Sequence, residues 1–240
     1  MDNKTRLFGR QTKRHWVDLR TDIIASPNDT KLWVSATSLL QDRLETRYLR
    51  PIDRILFMRI TSGEGFAVMT LICSLIEFLQ SCYEGKTYDY KLIKSADTKI
   101  GYGKSGEKFK SFLEQHQPFK ATFSISVSKP NKYIKTFADD FYSNVRCGLL
   151  HEAATNNGWT IKTYKEKNTP VSFVDISNEN NKIIYRDRFV EEIKAYINTY
   201  KKLIIDNKQD SNKQYLRDNF CRKLDSLCEI DDRTTKWWTI

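Results

Sequence analysis

The chain has 240 residues but only three histidines, five prolines and nine glycines. Few helix breakers over that length leave room for long helices. No CxxC pair and no cysteine–histidine cluster has the spacing of a zinc site. The five cysteines (Cys73, Cys82, Cys147, Cys221 and Cys228) are odd in number, and Cys73 and Cys147 lie inside apolar helical runs. This argues against a disulfide framework and for reduced thiols in the cytosol. Cys221 and Cys228 stand a heptad apart and read as one packed helix face. The longest apolar run, Phe66 to Leu79, is too short to span a bilayer and carries Glu77. The first six residues are polar and lack the apolar core of a signal peptide. A cytoplasmic protein with no membrane association is therefore expected. There is no internal repeat and no long low-complexity linker, so a single domain over 1–240 is the expected organisation.

What is abundant is positive charge. The formal net charge is +10, while 40% of residues are apolar and 29% charged. A folded globular chain is implied. Its favoured partners are polyanions, with nucleic acid first and an anionic membrane surface second. The region from Lys86 to Lys135 is the most basic, with eleven lysines against four carboxylates.

Apolar spacing predicts a mainly α fold with a small β-hairpin or short-strand insertion. The first thirty residues are polar, with Trp16, Ile23 and Ile24 as docking points. A helix is expected from about Ser38 to Arg59, interrupted or bent at Pro51. Along it Arg43, Arg47, Arg50 and Arg54 recur at three- and four-residue spacing, either as a solvated face paired with Asp42, Glu45 and Asp53 or as an RNA-backbone track. Phe66 to Tyr83 is apolar nearly all round and belongs at the centre of a bundle. The alternation of Phe123, Ile125 and Val127 with Thr122, Ser124, Ser126 and Ser128 reads as a strand. Phe137 to Ala153 is a helix whose inward stripe is Phe137, Phe141, Val145 and Leu149, ended by Asn156-Asn157-Gly158. Short strands are expected at Trp159–Tyr164, Val171–Ile176 and Lys182–Tyr185, with Asn178 to Asn181 as a hairpin turn. Arg188 to Ile205 is a strong amphipathic helix, and a last one covers about Ser211 to Cys228. Trp237 and Trp238, close to the end, need a surface to dock on and read as packed within the protein or against another subunit, with base stacking as the alternative.

Several motifs fail on context. Gly101-Tyr-Gly103-Lys-Ser-Gly106 has the form GxGxxG, but no buried strand precedes it, and a mobile basic loop is the better reading. His116 and His15 have no carboxylate or cysteine at ligand spacing and read as surface histidines. Asp139 and Asp140 read as first-turn acids favoured by the helix dipole.

One motif survives. Arg146 stands five residues before His151 near the end of the Phe137–Ala153 helix. Cleaving RNA without a metal uses the substrate's own 2′-hydroxyl as nucleophile. It needs proton transfer and stabilisation of the charged transition state. Histidine supplies the first near neutral pH, and arginine can clamp phosphate oxygens through paired hydrogen bonds. Five residues amount to about 500° of helix, so the two side chains diverge by roughly 140°. The bland alternative is that Arg146 pairs with a carboxylate while His151 caps the helix end.

The string Arg146-Cys-Gly-Leu-Leu-His151-Glu152, an Arg-x4-His near a helix end in a helical chain, resembles the HEPN superfamily, and its bacterial members in particular. That resemblance implies a helical-bundle core, here about 38–205, with a motif helix at about 137–153 and a C-terminal helix and tail at about 206–240. It implies a homodimer that joins two motifs, and metal-independent endoribonuclease activity leaving 2′,3′-cyclic phosphate ends. No cofactor is called for. Arg146 and His151 would be catalytic; Asn144 and Glu152 flank them and are read, from their position alone, as RNA-binding residues that orient the pair. RNA is the implied substrate, in a toxin–antitoxin or anti-phage setting with an antitoxin or sensor protein as further partner. Many active members place a polar residue directly after the arginine, where this chain has Cys147. The alternative is a non-catalytic HEPN-like module that binds RNA or protein.

Overall fold

The computed structural model describes residues 2–58, 63–163, 172–207 and 215–239. It is mainly helical with a few short strands. Arg59, Tyr164, Val171 and 211–214, expected from the sequence to lie in helices or strands, fall outside the described residues.

The chain divides into two compact units. One comprises Met1–Pro51, Ser81–Ser105 and Asn198–Ile240; the other comprises Ile52–Gln80 and Gly106–Ile197. Two 21-residue helices, Glu64–Glu84 and Arg186–Asp206, contribute residues to both.

In the first unit a small antiparallel hairpin, Arg6–Phe8 with Gln11–Thr12, leads into the helix Lys13–Ala25. Trp16 and Ile23 are buried there as expected, whereas Ile24 is exposed. That helix packs on Thr30–Leu44, whose start is capped by Asp29 accepting from Lys31 N–H at 2.8 Å. Thr30–Leu44 runs through a π turn, Glu45–Leu49, into Arg50–Met58, so the helix extends over 30–58. Pro51 does not end it. In a regular helix the proline ring would crowd the carbonyl of residue 47. The π turn just upstream, where Arg50 N–H bonds to Glu45 C=O, widens the coil at that place.

The C-terminal part of this unit is organised by one buried carboxylate. Asp225, on the helix Leu216–Leu227, is fully buried and accepts the indole N–H of Trp16, Trp237 and Trp238 at 2.8, 2.6 and 3.0 Å. Arg20 supplies its counter-charge at 2.9 Å. The tryptophan pair is thus packed within the protein. Cys221 and Cys228 are both buried, on one face as their spacing predicts, and all five cysteines are free thiols.

The second unit has an aromatic core. Phe119, Phe123, Phe141, Phe173 and Phe189 are buried against one another with ring centroids 5.1–6.4 Å apart. Here the structure corrects the strand expected at 122–128. Phe119–Phe123 is a single helical turn, and its two phenylalanines, four residues apart, point to the same side. Ile125 is half exposed, and only an isolated bridge, Ser126 to Thr136, remains of the strand. Trp159–Lys162 pairs parallel with Lys182–Tyr185, which pairs antiparallel with Val174–Asp175. The expected turn at Asn178 to Asn181 joins the last two.

The apolar stretch Phe66 to Tyr83 lies in Glu64–Glu84, with Val68, Met69, Ile72, Leu75, Ile76 and Leu79 buried. This helix is long and apolar enough to cross a membrane, but 56% of its most apolar window is buried inside the protein, as in a core helix.

Candidate functional site

The Arg-x4-His motif lies in the second unit on a helix of 137–151 built from Phe137–Phe141, a π turn Tyr142–Arg146 and Cys147–His151. Thr136 caps its start by accepting from Asp139 N–H at 3.3 Å, and Asp139 returns a bond to Thr136 N–H at 3.2 Å. Burial pushes the Asp139 carboxyl up, but bonds from Lys110 and the N–H groups of Lys135 and Thr136 outweigh this and hold it below its ordinary value. Phe137, Phe141, Val145 and Leu149 all face inward, as their four-residue spacing predicts.

Arg146 closes the π turn. Its guanidinium reaches the Glu77 carboxylate at 3.5 Å and lies 5.4 Å from the ring centre of Tyr142. The side chain is only 17% exposed. His151 is the last helical residue, exposed, and no hydrogen bond or ion pair joins its side chain to another described residue. The two motif residues therefore sit in different environments, one engaged by a carboxylate and one open to solvent. Glu152 follows in solvent as the C-cap.

Asn144 has a structural task. Its amide donates to Asp140 at 2.7 Å, and its carbonyl accepts from Asn156 N–H at 2.9 Å, tying the helix to the chain that leaves it. Asp140 is the hub of this region. It is 1% exposed and also accepts from Asn157 (2.9 Å) and the Trp159 indole (2.8 Å), with the Lys182 ammonium at 3.2 Å. Asp139 and Asp140 are thus structural, as expected, although capping and buried bonding rather than the helix dipole alone account for them. Lys182 and Trp159 could not be assigned to Asp140 from spacing, because the contacts are nonlocal.

Gly148 sits between the two motif residues because the chain folds back against it. A Cβ there would stand 2.5 Å from the carbonyl oxygen of Ala154. Cys147, half-buried, neighbours the buried Cys73, whose thiol is pushed up to about 12, chiefly by burial.

The arginine series does not act as one group. Arg43 is half-buried and donates to the Leu7 carbonyl at 2.8 Å; burial lowers its pKa. Arg47 and Arg50 are exposed in the first unit, Arg50 lying 3.9 Å from Glu45. Arg54 is exposed in the second unit, while the expected partner Asp53 pairs instead with Lys194 at 2.6 Å.

Two expectations need correction. His116 is not a surface residue: it is 7% exposed, with its Nε2 2.9 Å from Gln80 and its ring against Phe112 and Tyr196. His15 is exposed, and its Nδ1 accepts from Thr12 N–H at 3.1 Å. The glycine loop is not a mobile loop either, since Gly101, Tyr102 and Gly103 are buried. A Cβ on Gly103 would collide with the Leu92 backbone, so packing accounts for this glycine without a phosphate. Among the described residues no group of three or more His, Cys, Asp or Glu is placed to hold a metal ion.

Comparison with known proteins adds no assignment: no protein-family model, no curated protein and no solved structure matches the chain.

Proposed function

We propose that this protein is a metal-independent endoribonuclease of the HEPN kind, cutting RNA by attack of the 2′-hydroxyl to leave 2′,3′-cyclic phosphate ends. The observation that carries the reading is Arg146 and His151 together on one capped helix of a helical unit, with the imidazole open to solvent. Arg146 would hold the scissile phosphate, released from or shared with Glu77, and His151 would transfer the proton. A single copy offers one such pair, and a symmetric homodimer would offer two. The half-exposed Leu150 beside His151 suits such an interface. A cytoplasmic toxin or anti-phage role, with an antitoxin or sensor partner, belongs to the same proposal.

The Arg146–Glu77 ion pair favours a second reading, in which the motif serves packing and the chain binds RNA or protein without cutting. Incubation with mixed-sequence RNA in EDTA, followed by end-group analysis, separates the two. Wild type is expected to cut, leaving cyclic-phosphate ends, while His151→Ala does not. Arg146→Lys retains the charge facing Glu77 but lacks the two-pronged guanidinium, so it is expected to stay folded and lose cleavage. If His151→Ala cuts at the wild-type rate, the nuclease assignment is wrong. Binding by wild type without any product favours the second reading.

A further inference from the structure

The second unit also holds a concave polar site that the Arg-x4-His motif does not use. Residues 126–136 form an ordered loop closed by the Ser126–Thr136 bridge and by Val127 N–H donating to Lys135 C=O at 3.0 Å. At its tip, Asn131 Oδ1 accepts from the N–H groups of Tyr133 and Ile134, both at 2.8 Å. Glu179 clasps the loop from the opposite side by accepting from Ser128 N–H at 2.8 Å and from the Ser128 hydroxyl. The loop therefore holds its shape.

Under it lies a cavity of about 280 Å³. Lys182 and Asp140, 2% and 1% exposed, are part of its lining, as are Lys129, Glu179 and the residues Asn131, Asn157 and Asn180. Lys182 donates to Glu179 C=O at 2.8 Å and pairs with Asp140, which accounts for two of its three N–H groups. The Asn180 side-chain amide has no hydrogen-bond partner among the described residues, while its backbone N–H donates to Asn178 Oδ1 at 2.9 Å. Outside the cavity the loop presents Tyr133, 76% exposed, with the Lys132 ammonium 5.6 Å from its ring centre. Lys129, Lys132 and Lys135 have no carboxylate partner among the described residues.

We propose that this loop and cavity form a subsite for single-stranded RNA, with one base in the amide-lined cavity, Tyr133 stacking on a neighbouring base and the three lysines following the phosphates. The cavity falls just below the usual range for small-molecule pockets, roughly 300–1,000 Å³, so it takes a single heterocycle. The Asn180 side-chain amide offers a paired donor and acceptor to a base edge, while Asn131 and Asn157 spend one end of their amides on internal bonds. An exposed aromatic ring beside unmatched ammonium groups is the combination that single strands use for stacking and charge neutralisation. Three lysines along the loop outnumber the phosphates of one mononucleotide, which favours a strand over a free nucleotide. The inference deepens the nuclease reading by adding a substrate-binding surface to it.

The test is fluorescence anisotropy of labelled oligoribonucleotides on the full chain carrying His151→Ala, across a salt series. Tyr133→Ala is expected to weaken binding roughly 5- to 150-fold, the range for loss of one stacked base. Replacing Lys129, Lys132 and Lys135 by alanine should flatten the log affinity–log salt slope by about 2, at roughly 0.7 for each phosphate no longer neutralised. Asn180→Leu alters an exposed side chain with no partner and should erase preference among homopolymers while leaving thermal stability unchanged. Unchanged binding in all three variants overturns the proposal. So does AMP or UMP binding as tightly as the oligomer, or loss of binding to acidic phospholipid vesicles while RNA binding is intact. Cleavage by the otherwise wild-type chain is read separately. If the loop variants cut normally, the subsite is wrong and the nuclease stands; loop-dependent binding without cleavage means the reverse.

Discussion

A single carboxylate illustrates how much one side chain can hold. Asp140 accepts three side-chain N–H groups and an ammonium while only 1% exposed. Its bonds to Asn157, Trp159 and Lys182 join the motif helix to the chain that follows it. Asp140→Ala would leave the Lys182 ammonium buried without its counter-charge, and removing one partner of a buried pair costs about 3–5 kcal/mol. A urea titration of the variant should show a loss of that order. Converting Lys182 to methionine in the same background should recover a large part of it, because the stranded charge is gone. A loss below about 1 kcal/mol in the single variant would show that solvent reaches the pair after all.

Helices show which features of a fold can be read from spacing. Phe137, Phe141, Val145 and Leu149 face inward, as four-residue steps require, and the stripe along Glu64–Glu84 was equally legible. The π turn at Tyr142–Arg146 was not, because the four-residue steps from Phe137 to Leu149 run across it unbroken. Alternation misled at 122–128, where two phenylalanines four apart had a core to fill. The Asp225 cluster was illegible for another reason: Trp16 and Arg20 meet it across more than two hundred residues. Of the candidate site, the helix and its inward face were legible, whereas the Arg146–Glu77 pair was not, since nothing local marks Glu77 as the partner. Gly148 permits the prediction proper to this scale. A methyl group there meets the Ala154 carbonyl at 2.5 Å, so either the helix end or the returning chain must move. Gly148→Ala is expected to cost about 1–3 kcal/mol, the usual range for overpacking. On the proposed nuclease reading it should also reduce cleavage by displacing His151 relative to Arg146. Unchanged melting with full activity would mean that this turn yields freely.

At the scale of the whole chain the balance of charge sets the response to acid. Asp232 is held well below its ordinary value by the hydroxyls of Thr234 and Thr235 and by Arg20. Ser177 lowers Asp175, and Ser128 lowers Glu179. Asp139 is lowered as well. A carboxylate whose folded pKa is depressed stabilises the fold fully above its unfolded pKa, roughly 4, and loses that contribution as pH falls through the folded value. Asp218 has the opposite sign, since burial raises it, so protonation relieves its cost. Each of the four lowered carboxylates makes acid destabilising. Neutralising all 30 carboxylates would also take the formal charge from +10 to +40, the full count of lysine and arginine, and the added repulsion acts in the same direction. Melting temperature should therefore vary little from pH 7 to about pH 5 and fall steeply below about pH 4. Asp232→Asn provides the signed check: the variant should melt below wild type at pH 7, and the gap should close as acid removes the same contribution from wild type. A gap that stayed constant across the whole range would assign Asp232 a packing role in place of an ionic one.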